Sequence, residues 1–490
     1  MRTIALVCAV GLLALASSSQ AAGKGKGKAD KAGKIPITTS SDEARALYIE
    51  GRDLLEKLRA TDAHARYQAA IEKDPAFALA HLGFAQTSNT AQEFFDSMKR
   101  ASANAPKASE GEQLLIQFTE AGARGETDKQ TALSKKLAAM FPNDERVHNL
   151  VGGLYFGRQD WKQAVEGYKR STAINPEYSA PYNQLGYALR FMERYDEAEK
   201  VFKKYAELIP NDPNPYDSYA ELLMKMGRFD ESIKQYEKAL AVDKNFIASW
   251  VGIGNNQLFQ GKTDEARKSF ANLTAVARND GERRTALFWN SISYVHEGAT
   301  DKAVAELAKM AGIDEKNKDY PNLSGVHFNT AEVLLEAGRV DEAMAHFKKQ
   351  NEAMHSADVP QGVKDQADRN LLYNEAKVAL AKGDIAKAKA NAATRTKMVE
   401  ATKVRFEVQQ IHELNGRIAL EEKNFALAAT ELAKANLQDA RVLYLLGVAR
   451  QGKGDAKGAK EALTRAAEFN GLGGNFAFVK RKAKDLLARS

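Results

Sequence analysis

The sequence predicts an all-α fold of stacked helix pairs, and three observations carry that reading. Pro142, Pro176 and Pro210 stand 34 residues apart. Between the last two, apolar and small residues recur at helical spacing in two blocks: Tyr182, Leu185, Gly186 and Leu189, then Ala198, Phe202 and Tyr205. No stretch of the 490 residues reads as a strand.

The spacing has a physical cause. Leu185 and Leu189 lie four apart and share one face of a first helix, and Ala198 and Phe202 do the same on a second. Gly186 and Ala198 are small, which lets neighbouring helices approach closely. Pro210, with no N–H to donate, ends the second helix. Such a pair cannot bury its apolar face alone and needs a neighbour on each side, which makes a solenoid.

The preceding block repeats the scheme with Leu150, Gly152 and Tyr155, then Ala164, Tyr168 and Ser171 ahead of Pro176. A 34-residue period with this arrangement resembles the tetratricopeptide repeat (TPR) family, with Tyr182 in place of the family's Trp and Leu189 in place of its Tyr. The resemblance implies an all-α tetratricopeptide-repeat α-solenoid. It would hold about twelve helix-turn-helix pairs, wound as a right-handed superhelix and closed by a C-terminal capping helix.

Taken in order, the chain opens with Arg2, an apolar run from Ile4 to Ala16, and small residues to Ala22. That is the pattern of a secretory signal peptide, expected over residues 1–22. It predicts an exported protein, periplasmic or extracellular. Cys8, the only cysteine, lies inside this segment, so the expected mature chain has no thiol for disulfides, metal or catalysis. Residues 23–42 read as a flexible Gly/Lys-rich linker.

Residues 43–142 carry N-terminal TPR-like repeats, one of them degenerate around Ser88–Thr90. Residues 143–280 hold regular 34-residue repeats, and residues 281–470 divergent, longer ones with added length near Ile313–Leu323, His355–Val363 and Met398–Glu407. Gly227, Gly261, Gly298, Gly338, Gly383 and Gly454 each fall where a left-handed residue would close a first helix. Residues 471–490 read as a capping helix and basic tail, with Phe476, Val479, Ala483 and Leu486 as its apolar stripe.

Charge argues against nucleic acid. Residues 23–34 and 479–490 each carry +4; removing them and Arg2 from the formal +7 leaves −2 over residues 35–478. The basic balance belongs to the ends, not to a face of the fold. A weak contact of these tails with a membrane surface or the cell envelope is the alternative use for them. No second apolar run is long enough to span a bilayer.

Catalysis and cofactors find no support. The eight histidines show no zinc-ligand spacing, and no nucleotide or nucleophile motif follows a strand. The expectation is a non-enzymatic scaffold or adaptor without cofactor, binding another protein or peptide segment. The resemblance places the ligand on the concave face made by first helices. Candidate partner-binding residues there are a polar strip, Asn149, Asn183, Tyr187, Arg190 and Asn255, and a row of aromatics, Phe288, Phe328 and Tyr373. The lysine–asparagine clamp that one branch of the family uses for a peptide carboxylate is missing.

Overall fold

The computed structural model describes residues 33–57, 59–88, 91–400 and 404–489. The expected signal peptide, and the linker as far as residue 32, lie outside them. Among the described residues there is no strand. The chain is an all-α solenoid of helix pairs, and it divides into two compact units within one helix, between Leu222 and Leu223.

In the N-terminal unit the pairs are α1 (Asp42–Glu56) with α2 (Ala60–Lys73), α3 (Ala78–Gln86) with α4 (Ala91–Asn104), and α5 (Glu110–Ala123) with α6 (Thr127–Met140). Then follow α7 (Glu145–Gly157) with α8 (Trp161–Ile174) and α9 (Ala180–Phe191) with α10 (Tyr195–Leu208). The division falls in α11 (Asn214–Lys225), which is followed in the chain by α12 (Phe229–Val242). The C-terminal unit continues with α13 (Ile247–Phe259) and α14 (Thr263–Val276), α15 (Asp280–Glu297) and α16 (Thr300–Asn317), and α17 (Tyr320–Glu336) and α18 (Val340–Ser356). It ends with α19 (Gln361–Ala381) and α20 (Ile385–Glu400), α21 (Arg405–Glu421) and α22 (Phe425–Leu432), α23 (Ala440–Gly452) and α24 (Ala456–Ala467), and a last helix α25 (Phe476–Ala488).

One contact recurs within the pairs. A small residue in the first helix faces a large apolar one sixteen residues on: Gly152 against Tyr168, Gly186 against Phe202, Gly254 against Phe270, Gly416 against Leu432 and Gly447 against Leu463. Tyr168, Phe202 and Phe270 are fully buried. A Cβ on any of these glycines would sit 2.2–2.6 Å from the partner ring or branch. The period seen in the sequence is thus the period of a steric fit.

The first helices end as the glycines foretold. All six glycines named from the sequence have positive φ, between 75° and 85°. Gln159, Glu193 and Lys423 adopt the same conformation, with φ near 59°, at the corresponding turns after α7, α9 and α21. Each departs from the rule that such sites take glycine. The added length of the divergent repeats goes into the helices: α15 to α21 run 16 to 21 residues, against 12 to 14 for α7 to α14.

Two expectations need correction. The linker foreseen over 23–42 is a bound strap over its last residues. The Ile35 amide donates to Asp144 Oδ2 at 2.9 Å, the Thr38 amide and hydroxyl donate to Glu112 at 2.7 and 2.6 Å, and the Ser40 amide donates to Asp74 at 3.0 Å. Asp144 caps the start of α7, Glu112 lies in the first turn of α5 and Asp74 is the C-cap residue of α2, so the strap runs from the fourth pair back to the first. The capping role foreseen for 471–490 is also incomplete. Helix α25 packs on α23 and α24, but its Phe476 reaches Phe259 of α13 and His296 of α15. It covers the first-helix face of its own unit as well as the end.

Candidate binding faces

In the N-terminal unit the first helices bring a row of polar side chains to one face, most of them buried. Asn149 donates to the Tyr178 hydroxyl at 3.4 Å and Asn183 to Asn214 Oδ1 at 3.3 Å. The Tyr187 hydroxyl donates to Ser218 Oγ at 3.3 Å, and Arg190 pairs with Glu221 at 3.2 Å while its guanidinium lies 4.8 Å over the Tyr187 ring. Each of these bonds runs from one helix pair toward the next. They tie neighbours together in a solenoid whose pairs share no other backbone ladder.

The strip divides by what it has left over. The Tyr187 hydroxyl and Arg190 Nη1 bond to the next pair. Asn149 and Asn183 each donate once and keep a buried Oδ1 without a hydrogen-bond partner. Beside them, Arg146 of α7 and Arg52 and Glu56 of α1 add Arg146 Nε and Nη2, Arg52 Nε and Glu56 Oε1 to the unpartnered buried atoms. Burial pushes the Glu56 carboxyl well above the usual range, although the Arg146 and Arg52 guanidiniums oppose it. Burial also lifts the Tyr48 hydroxyl below it to about 12. Buried polar atoms are nearly always paired in native folds. A row of acceptors and guanidinium donors suits the alternating N–H and C=O groups of an extended peptide.

Asn255 does not belong to this row. It lies in the C-terminal unit, fully buried, and donates to the carbonyl of Val251 one turn back in its own helix at 3.0 Å. The aromatic row is also divided. Tyr373 is core, packed with Ala376, Ala388 and Leu414 under the Lys377 ammonium and the Arg395 guanidinium at 5.0 and 5.3 Å. Phe328 is half-buried against Phe347. Phe288 is half-buried and meets Trp289 edge-on, with Gly474 from the segment before α25 laid close to it. The three line no common open groove: the chain itself covers or fills their places.

What sequence reasoning missed lies one residue past the small close-contact position. Glu332, Lys377 and Arg417 follow Ala331, Ala376 and Gly416 in α17, α19 and α21, and all face the middle of the C-terminal unit. Arg441 of α23 completes the group, which borders a cavity of about 230 Å³. Glu332 is paired with both Lys377 and Arg441. Burial raises its carboxyl, but the two cations outweigh burial and hold it at about 2. For Lys377, burial lowers the ammonium and Glu332 only partly restores it. The signal was present as three charged residues at one repeat position, a pattern that also suits a solvated face.

These features define a class: a helical-repeat solenoid with a polar row on the first-helix face of one unit and a self-paired ionic centre in the other. The tetratricopeptide repeat family matches residues 180–212, 214–246, 251–319 and 324–348. The repeats over 180–348 belong to that family. A comparison with curated proteins gives no match. Among solved structures, the chain is similar to a tetratricopeptide repeat protein from Parabacteroides merdae at 14% identity and TM-score 0.35, covering 58% of this chain and 99% of that one. It is similar to a thermophilic TPR protein from Thermus thermophilus at 20% identity and TM-score 0.29, over 44% and 99% of the two chains. The MamA protein of Desulfovibrio magneticus is similar at 16% identity and TM-score 0.31, over 34% and 96%.

Proposed function

We propose that this protein is an exported interaction scaffold whose N-terminal unit holds an extended segment of a partner protein on its first-helix face. The observation that carries the reading is the row of buried, unpartnered polar atoms on Arg52, Arg146, Asn149 and Asn183. An unpaired buried polar atom costs on the order of 1–3 kcal/mol, and a bound peptide backbone would remove that cost. Among the described residues no cluster of three or more His, Asp or Glu could hold a metal, and no helix is long and apolar enough to cross a membrane. Binding is the activity for which the residues argue.

The Asn149→Ala, Asn183→Ala double variant is expected to weaken partner capture at least roughly tenfold. Its melting temperature should stay within a few degrees, because the variant also removes two unpartnered acceptors. A variant that melts much earlier, yet whose folded fraction captures partner normally, would refute the site. Export rests on the pattern of residues 1–22. Intact mass of protein from its native host should show a chain beginning near Ala22 or Gly23, outside the cytoplasm. A cytosolic species that keeps Arg2 to Ala21 ends that part of the reading.

The alternative holds the protein to the cell envelope by its basic ends. The C-terminal end has little to give such a contact. Phe476, Val479 and Ala483 of its apolar stripe are buried within the C-terminal unit, and Lys480 is buried with them. Partner capture that survives removal of both basic tails separates the two readings.

A further inference from the structure

The segment around α25 crosses the C-terminal unit along a single repeat position. Lys225, Phe259, His296 and Glu336 each stand five residues after the small residue of their first helices, α11, α13, α15 and α17. The segment meets all four. Phe469 lies under the Lys225 ammonium at 4.4 Å. Phe476, fully buried, meets the Phe259 ring edge-on at 4.7 Å and the His296 ring at 5.9 Å. Lys480 holds its ammonium 4.2 Å over Phe259, and Lys482 pairs with Glu336. From the far side, Arg441 of α23 covers Phe478 at 3.9 Å, and Asn475 donates to Asp439 at 2.6 Å. The helix itself touches equivalent positions in three successive repeats, those of α13, α15 and α17, and is seated as a ligand would be.

Its fit carries costs that an integral cap would avoid. Lys480 is buried, and its ammonium, with three N–H donors, reaches one acceptor, Asn470 Oδ1 at 2.8 Å. His296 Nδ1 is buried without a partner. A methionine in place of Lys480 would fill the same slot over Phe259 without a charge to desolvate. The residues leading into α25 are Gly471, Leu472, Gly473 and Gly474. Gly474 is required where it stands, since a Cβ would lie 2.6 Å from Ile292 Cδ1, but Gly473 has nothing within 4 Å. The connection is permissive and the docked helix bears unfavourable terms.

We propose that the α13–α15–α17 face of the C-terminal unit is a helix-binding groove with α25 as its exchangeable resident. The helix swings out on Gly471–Gly474 to admit a basic amphipathic helix of a partner protein. The entering helix would place an aromatic residue between Phe259 and His296, an apolar residue where Lys480 now lies, and a cation against Glu336. This site is separate from the polar row of the N-terminal unit and stands or falls independently of it.

The docked Lys480 supports the exchange through pH. Burial pushes its ammonium down to about 7, with Lys484 and Lys225 lowering it further and Glu468 opposing them. Released, it returns to the ordinary lysine value of about 10.4. Docking therefore expels a proton between these values, so the resident is held less tightly as pH falls from about 10 to about 7, and this dependence ends below 7.

The test uses the full chain and a fluorescent synthetic peptide of residues 474–489 carrying Lys480→Met, read by anisotropy. Wild-type protein is expected to capture the peptide roughly tenfold more tightly at about pH 7.5 than at about pH 9.5. Phe476→Ala in the protein, which weakens the resident, should raise capture at least roughly tenfold, and Lys480→Met in the protein, which seats it better, should lower capture by a similar factor. Capture that ignores pH and both variants overturns the proposal. Loss of folding by Phe476→Ala leaves the Lys480→Met arm to decide, and unchanged capture in that arm overturns it alone. A concentration-dependent dimer of wild-type protein that exchanges α25 between copies would overturn the partner-helix reading in favour of a second copy of this chain.

Discussion

Glu332→Ala is expected to cost the C-terminal unit about 3–5 kcal/mol, because it leaves Lys377 buried and Arg441 mostly buried without their shared counter-charge. The loss should be local. Repeats of this kind are stabilised by nearest neighbours, so hydrogen-exchange protection should fall in α17, α19 and α23 while α1 to α10 keep theirs. The triple variant Glu332→Leu, Lys377→Met, Arg441→Met is expected to regain most of the loss, since it removes the buried charges together. The same pair sets an acid limit. The Glu332 carboxyl is held at about 2 in the folded unit, against 4.5 when unpaired. Its contribution is complete above about pH 4.5 and fades as pH falls toward 2. A Glu332→Ala protein with unchanged protection in α17 and α19 would remove the ionic centre from the description of this unit.

Gly254→Leu should be among the most damaging single changes at a helix contact, on the order of 3 kcal/mol. A Cβ there would lie 2.2 Å from the Phe270 ring, which is fully buried. Gly312 in α16 is the control: nothing lies within 4 Å of its Cβ position, and Gly312→Ala is expected to gain up to about 1 kcal/mol of helix propensity. Thermal melts of the two variants should move in opposite directions. Equal melting temperatures would mean that the glycine–aromatic contact does not set the repeat.

The pairing was legible in the sequence because it is written in residues whose size has one explanation. Gly186 with Phe202 and Gly152 with Tyr168 can only be helix contacts at that spacing, and the turn glycines announce the left-handed residues that follow first helices. The same signal failed at Gln159, Glu193 and Lys423, which take that conformation with a side chain and leave no mark in composition. The strap over 34–41 was hidden because its partners are carboxylates at helix ends, Asp74, Glu112 and Asp144, whose local role there is itself sufficient reason for them. The polar strip reads as one row in the sequence, but its members fall in both units. Asn183 and Asn255 look alike in sequence, yet one bonds to the next pair and the other to its own helix. Phe288 and Tyr373 share a repeat position, but only Tyr373 is sealed into the core, because the covering of Phe288 comes from a segment nearly 190 residues later. The resting place of α25 follows from contacts across the C-terminal unit that no local pattern encodes.

Partner capture on the first-helix face of the N-terminal unit is tested most directly by site-specific photo-cross-linking in the native host, followed by mass spectrometry. A photoreactive residue in place of Arg190, half-buried on that face, is compared with one in place of Lys200, exposed on α10. The expected result is a discrete adduct with one extracytoplasmic partner from position 190 and none from position 200. Adducts from position 200 alone, or the same set from both positions, would contradict it.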